Sequence, residues 1–183
     1  MDLLAADLPA RARAFATAAH AGQRRKGTRL PYVVHPIEVA ETLARHYPAD
    51  VELIAAGYLH DTLEDTATDA VDLEREFGPR VAGLVRGVTA VRGANWRATR
   101  EGQLAHLAGA PRDVLRLKAA DALSNARAIG RDREVHGEAV WKRFAAPPDD
   151  VRWYYRSILD RVRGGLGSEP IVALLAAAVE RLA

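Results

Sequence analysis

The densest chemistry in this sequence lies where a run of apolar residues, 53–59, leads straight into His60, Asp61, Glu64 and Asp65. On a continuous helix, residues four apart share a face, so His60 stacks with Glu64 and Asp61 with Asp65. Three carboxylates at these spacings repel. They also lie toward a helix C-terminus, where the macrodipole disfavours negative charge. A divalent cation resolves both penalties, whereas plain structure would make the segment a solvated helix end. A His-Asp pair alone is too common to mean much; its position against a buried run is what singles it out.

Two further residues could complete a metal shell. His35 precedes Pro36 at a predicted helix start and either points into a cleft or caps the helix. Asp121 shares a helix face with Lys118 and Asn125 among small alanines, as a ligand or as a satisfied polar group of a helix pair. His35, His60, Asp61 and Asp121 would offer two nitrogens and two oxygens. With no cysteine in the chain, such a set suits a hydrated six-coordinate Mn²⁺ or Fe²⁺ better than a closed structural zinc site. A basic loop, Arg24, Arg25, Lys26 and Arg29, could hold phosphates or simply be solvated near the C-terminus of the first helix.

The elements that must position these groups read as helices throughout, with no convincing period-two segment. The predicted helices cover 9–21 (capped at Asp7 or Leu8, ended by Gly22), 36–46, 51–65 (capped by Asp50), 70–77 (capped by Asp69) and 79–89. A loop over 90–96 precedes helices at 97–108, 112–133, 136–145, 149–163 and 169–182, the last capped by Ser168. The expectation is one all-α domain over residues 1–183, a bundle of about ten helices.

Composition bounds the function. Of 183 residues, 49% are hydrophobic and 27% charged, which excludes a disordered or fibrous chain. The balance of 26 basic against 24 acidic residues is mixed along the chain, so nothing argues for nucleic acid. The start carries an acid at Asp2 and no apolar segment typical of a signal peptide. The longest apolar run, 170–179, is too short to span a bilayer. A cytoplasmic protein without a membrane partner is expected.

Five segments, in order, resemble the HD-domain metal phosphohydrolases and, more narrowly, the small alarmone hydrolases, stand-alone relatives of the Rel/SpoT hydrolase domain. They are AHAGQRRKGTRLPYVVHP at 19–36, YLHDTLEDT at 58–66, FGPRVAGLVRGVT at 77–89, LKAADALSNARAI at 117–129 and WYYRSIL at 153–159. The resemblance covers about 12–160 and leaves an extra C-terminal helix, about 169–182. It implies an HD-superfamily helical fold and one Mn²⁺ (Fe²⁺ or another divalent ion as the alternative) held by His35, His60, Asp61 and Asp121. It also implies that Glu64 and Asp65 are the catalytic acids. Arg25 and Lys26, with Arg24, would hold substrate phosphates, Asn125 would line the pocket and Tyr32 would wall it.

The implied reaction is 3′-pyrophosphohydrolysis of ppGpp or pppGpp to GDP or GTP plus pyrophosphate, part of the stringent response. The alternatives are an HD phosphohydrolase acting on NADPH, pppApp-type or other nucleotides, and a non-catalytic alarmone-binding module. The intact set of acids argues against the last. His20, in the AH-x-GQ segment, is read as structural, and His46, His106 and His136 as surface residues. The A-D-K-L-H-N or A-D-R-L-x-N of many relatives appears here as A-D-A-L-S-N, so Ala122 lacks a basic side chain and Ser124 replaces a histidine. Arg100 stands for a lysine and Gln103 for a tyrosine, which bears on substrate preference rather than on the metal set. Oligomeric state is left open.

Overall fold

A computed structural model describes residues 3–183, with side chains from Asp7 onward. Asp2, on which the reading of the chain start partly rests, lies outside the described residues. Among those described, no strand forms, and a single antiparallel bridge pairs Arg24 with Pro31. The all-α expectation holds. The chain divides into two compact units, residues 1–89 and 90–183.

The first unit contains α1 (Leu3–Ala19), α2 (Val34–His46), α3 (Val51–Leu59), α4 (Thr62–Asp65), α5 (Ala70–Phe77) and α6 (Pro79–Val88). Its centre is α3, with Leu53, Ile54, Ala55, Ala56, Gly57 and Leu59 all buried; it packs against α1, α2 and α6. The α2 contact is close enough to require glycine at 57. A Cβ there would stand 2.9 Å from both Ala40 Cα and Leu43 Cδ1. Asp50 starts α3 by accepting from the Leu53 amide at 3.0 Å. The same carboxylate takes both guanidinium nitrogens of Arg80 at 2.7 Å, tying α6 to that helix start.

The second unit contains α7 (Trp96–Leu107), α8 (Arg112–His136), a 3₁₀ helix (Gly137–Arg143), α9 (Pro148–Leu166) and α10 (Pro170–Glu180). The long α8 is its spine, packed against α9, α10 and the 3₁₀ helix, while α7 packs on α9. Asn95 caps α7 by accepting from the Ala98 amide at 2.8 Å.

Four details differ from the sequence reading. The first helix begins before Pro9, which sits inside it; the proline forgoes one backbone bond, while Ala12 and Ala16 on the same helix are fully buried. The predicted helix over 51–65 is two helices, α3 and α4, broken at His60 and Asp61. The segment 136–145 is 3₁₀, continuing directly from α8. Ser168 does not cap α10: Glu169 occupies that position without a capping bond, and its carboxylate instead takes the guanidiniums of Arg112 and Arg116.

Candidate functional site

The break between α3 and α4 is built by side chains. His60 Nδ1 lies 2.9 Å from the Gly57 carbonyl, and Thr62 Oγ1 donates to the Leu59 carbonyl at 2.7 Å. Both take carbonyls that a continuing helix would otherwise engage. A carbonyl only accepts, so His60 Nδ1 carries its proton and Nε2 presents a lone pair. That Nε2 lies 3.2 Å from His35 Nε2 and 3.1 Å from Asp61 Oδ2; His35 Nε2 is 3.5 Å from the same oxygen. Both imidazoles are 2% exposed, and at these separations the atoms are direct neighbours. Two ring nitrogens and a carboxylate oxygen thus converge, an arrangement that suits a divalent cation. The carbonyl-anchored Nδ1 is the outer support that fixes a histidine ligand's tautomer.

The turn preceding α2 delivers His35. Its amide bonds the Tyr32 carbonyl at 3.0 Å, and the Tyr32 amide in turn bonds the Gln23 carbonyl at 3.0 Å. The basic segment is therefore an ordered loop closed on itself: the Arg25 amide bonds the Leu30 carbonyl at 2.9 Å, with Gly27 at φ 75° in its tip. Within it the predicted phosphate residues differ. Arg24 turns its guanidinium to the Arg29 carbonyl at 2.6 Å, Arg25 is half-buried and Lys26 is exposed.

Tyr32 does more than wall a cleft. Its hydroxyl lies 2.7 Å from Asp61 Oδ2 and 3.0 Å from Asp65 Oδ2, and so ties a candidate ligand to a candidate catalytic acid. Burial first, and then the two carboxylates, hold its ionisation well above the ordinary tyrosine range, so the hydroxyl remains a donor. Asp65 sits at the end of α4 on the surface, and Glu64, half-buried, precedes it. The kink replaces the single stripe expected from a continuous helix. Asp61 begins a new turn whose carbonyl takes the Glu64 and Asp65 amides at 3.2 and 3.0 Å.

A second support was not singled out from sequence. Buried His20 stacks on Tyr32, ring centroids 4.8 Å apart, and its Nδ1 lies 2.7 Å from Gln23 Oε1. The Gln23 amide then donates to the Asp65 carbonyl at 2.6 Å. The AH-x-GQ segment was the available signal. Its structural reading of His20 fits, but its reach to Asp65 could not be seen in spacing.

In the second unit, Asp121 is buried on α8 with both oxygens engaged: Lys118 Nζ donates to Oδ2 at 2.8 Å and Asn125 Nδ2 to Oδ1 at 2.7 Å. Burial alone would push the Lys118 ammonium down. The Asp121 carboxylate, with Tyr154, more than offsets it and holds the lysine above its ordinary value. Asn125, expected to line a substrate pocket, thus also orients the candidate ligand. Two of the departing residues, Arg100 and Gln103, cluster around Tyr154. Gln103 accepts from the Tyr154 hydroxyl and from Arg100 at 3.3 Å, and the Arg100 guanidinium lies 4.8 Å from the centre of the Tyr154 ring. His106 and His136 are exposed, as expected, and His46 is half-buried.

This helical scaffold with its paired histidine and aspartate donors has a family. The chain belongs to the HD domain family, whose model matches residues 12–148. Among curated relatives, it is 41% identical over 136 residues to the guanosine-3′,5′-bis(diphosphate) 3′-pyrophosphohydrolase of Aquifex aeolicus, covering 72% of this chain and 19% of that protein. It is 40% identical over 121 residues to the Danio rerio protein of the same name called MESH1, covering 64% of this chain and 66% of that one. A solved structure described as a metazoan ortholog of SpoT that hydrolyses ppGpp superposes with a TM-score of 0.77 at 27% identity, covering 94% of each chain. The resemblance read from the five segments is thereby borne out. No helix among the described residues is long and apolar enough to cross a membrane.

Proposed function

We propose that this chain is a metal-dependent 3′-pyrophosphohydrolase of ppGpp and pppGpp. The observation that carries the reading is the convergence of His35 Nε2, His60 Nε2 and Asp61 Oδ2 with the His60 tautomer fixed for ligation. Relatives bearing that activity's name support it. His35, His60, Asp61 and Asp121 would hold one divalent ion, Mn²⁺ by the preference of mixed nitrogen and oxygen donors without thiolate. When bound, the ion supplies a Lewis acid that makes water nucleophilic near neutral pH.

The chain's own residues do the rest. Tyr32 keeps Asp61 and Asp65 oriented, and Gln23 fixes the backbone of Asp65. Glu64 and Asp65 position the attacking water and accept its proton. Arg25 and Lys26 bind the substrate's phosphates as cations on the loop. Water adds to the phosphorus attached to the ribose 3′ oxygen. The bond to that oxygen breaks, a proton returns to it, and GDP or GTP leaves together with pyrophosphate. Cytoplasmic residence belongs to the same reading.

Hydrolysis in ¹⁸O-labelled water, with ppGpp, pppGpp, NADPH and pppApp compared at saturating Mn²⁺, tests both mechanism and substrate. Label in pyrophosphate and none in GDP, with the guanosine substrates turned over fastest, is the expected result. Label in the nucleoside product, or faster turnover of NADPH, would contradict it and direct attention to Arg100 and Gln103.

A further inference from the structure

His20 follows the last residue of α1 and is 2% exposed. Its two ring nitrogens are treated unequally. Nδ1 lies 2.7 Å from Gln23 Oε1, whereas Nε2 meets no hydrogen-bond partner among the described residues. The direction of the first bond follows from its neighbour. Gln23 Nε2 lies 2.6 Å from the Asp65 carbonyl, which only accepts, so the amide nitrogen faces Asp65 and the amide oxygen faces His20. His20 Nδ1 is therefore the donor, whatever the state of Nε2.

A buried nitrogen without a partner carries a cost that a phenyl ring would not. Stacking on Tyr32, with ring centroids 4.8 Å apart, asks only for an aromatic ring. What the imidazole adds is the Nδ1 donor, and that donor acts on Gln23. It holds the amide in the orientation that sends Nε2 to Asp65. The Asp65 carbonyl ends α4, a helix of a single turn, and is among the terminal carbonyls that a helix leaves without an internal donor. Tyr32 reaches the same residue by a second route. Its amide bonds the Gln23 carbonyl at 3.0 Å, and its hydroxyl bonds the Asp65 carboxylate at 3.0 Å. The ring and the donor of His20 thus support Asp65 through its side chain and through its backbone.

We propose that His20 is a positioning residue for Asp65, acting through a directed chain from Nδ1 to the Gln23 amide to the Asp65 carbonyl. Its effect on rate rests on the catalytic role proposed above for Asp65, whereas the chain of bonds does not. The chain ends on Asp65 and not on Asp61. Breaking it should therefore slow turnover and leave the metal requirement unchanged.

Three variants of the full chain test this. His20→Phe keeps a ring and removes the donor. His20→Asn removes the ring and places an amide nitrogen on Cγ, where Nδ1 stood. Gln23→Leu breaks the chain from its other end. The Asp65 carbonyl ¹³C shift, read by NMR with neither substrate nor metal added, should move in His20→Phe and Gln23→Leu and return toward wild type in His20→Asn. In steady-state hydrolysis of ppGpp, His20→Phe and Gln23→Leu should each lower kcat about tenfold, the weight of one hydrogen bond. KM and the Mn²⁺ needed for half-maximal rate should stay at wild type, and His20→Asn should recover most of the loss. The His20→Phe/Gln23→Leu double variant should lose no more than either single variant, because both break one chain. Should His20→Phe fail to fold, Gln23→Leu and His20→Asn carry both readouts. An unmoved Asp65 shift would overturn the chain of bonds. A moved shift with wild-type kcat, or equal losses in His20→Phe and His20→Asn, would overturn the positioning role. A wild-type chain that leaves ppGpp intact while the shifts move as stated would contradict the assigned reaction and support the chain of bonds.

Discussion

Replacing Tyr32 with Phe removes one hydroxyl and little else. The ring remains stacked on His20, while the bonds to Asp61 Oδ2 at 2.7 Å and Asp65 Oδ2 at 3.0 Å are lost. A hydrogen bond to a charged acceptor contributes about 1.5–3 kcal/mol, and each 1.4 kcal/mol is a factor of ten, so the loss corresponds to about 10- to 100-fold. The single proton favours the shorter bond. The larger share should therefore fall on Asp61 and appear as weaker metal retention, and the smaller share on Asp65 as slower turnover. Steady-state hydrolysis of ppGpp across a buffered range of Mn²⁺ activity separates the two. The variant should need more metal for half-maximal rate, and its saturated rate should stay below wild type. A thermal midpoint within a few degrees of wild type would establish that the fold is intact. Wild-type metal dependence and wild-type rate together would refute the reasoning, since Tyr32 would then be only a wall.

Asp61→Ala should abolish metal retention and turnover together, measured by metal analysis after gel filtration and by product release; full activity would remove the proposed ligand set. Glu64→Ala should leave bound metal unchanged while lowering turnover about a hundredfold or more, as expected for an acid that handles a proton. Gly57→Ala drives a Cβ to 2.9 Å from the α2 backbone at Ala40 and should cost about 1–3 kcal/mol in urea unfolding; an unchanged midpoint would mean that the helices can separate freely. Tyr155 is buried, and burial first, then the Asp121 charge, hold its ionisation above the ordinary range. The unfolded chain releases that proton near pH 10 while the folded one keeps it. Stability is therefore whole below about pH 10 and falls above it by about 1.4 kcal/mol per pH unit for this group. Tyr155→Phe should remove that part of the slope, and an identical slope would contradict the assignment.

The helical class and most element boundaries were legible because apolar period, caps and glycine stops agree in this chain. Asp50, Asp69 and Gly78 act where local chemistry places them. The break at His60 was not legible. Nothing in residues 51–65 interrupts the helical pattern, and the kink is made by His60 and Thr62 reaching back to carbonyls of their own helix. That local choice converts a stripe of repelling acids into a junction where His60 and Asp61 face His35. Residue types and family resemblance together pointed to the candidate donors. The Lys118 bond to Asp121 follows the i, i+3 face read from spacing, whereas the supporting bonds from Tyr32 and Gln23 depend on side-chain directions that spacing alone does not encode.

The central claim is that these donors make the chain a metal-dependent ppGpp hydrolase. Its most direct test is to incubate metal-stripped protein with ppGpp, with and without Mn²⁺, and resolve the products by ion-exchange chromatography. The account predicts GDP and pyrophosphate in equal amounts only when Mn²⁺ is present. Intact ppGpp in the presence of protein-bound Mn²⁺ would contradict it.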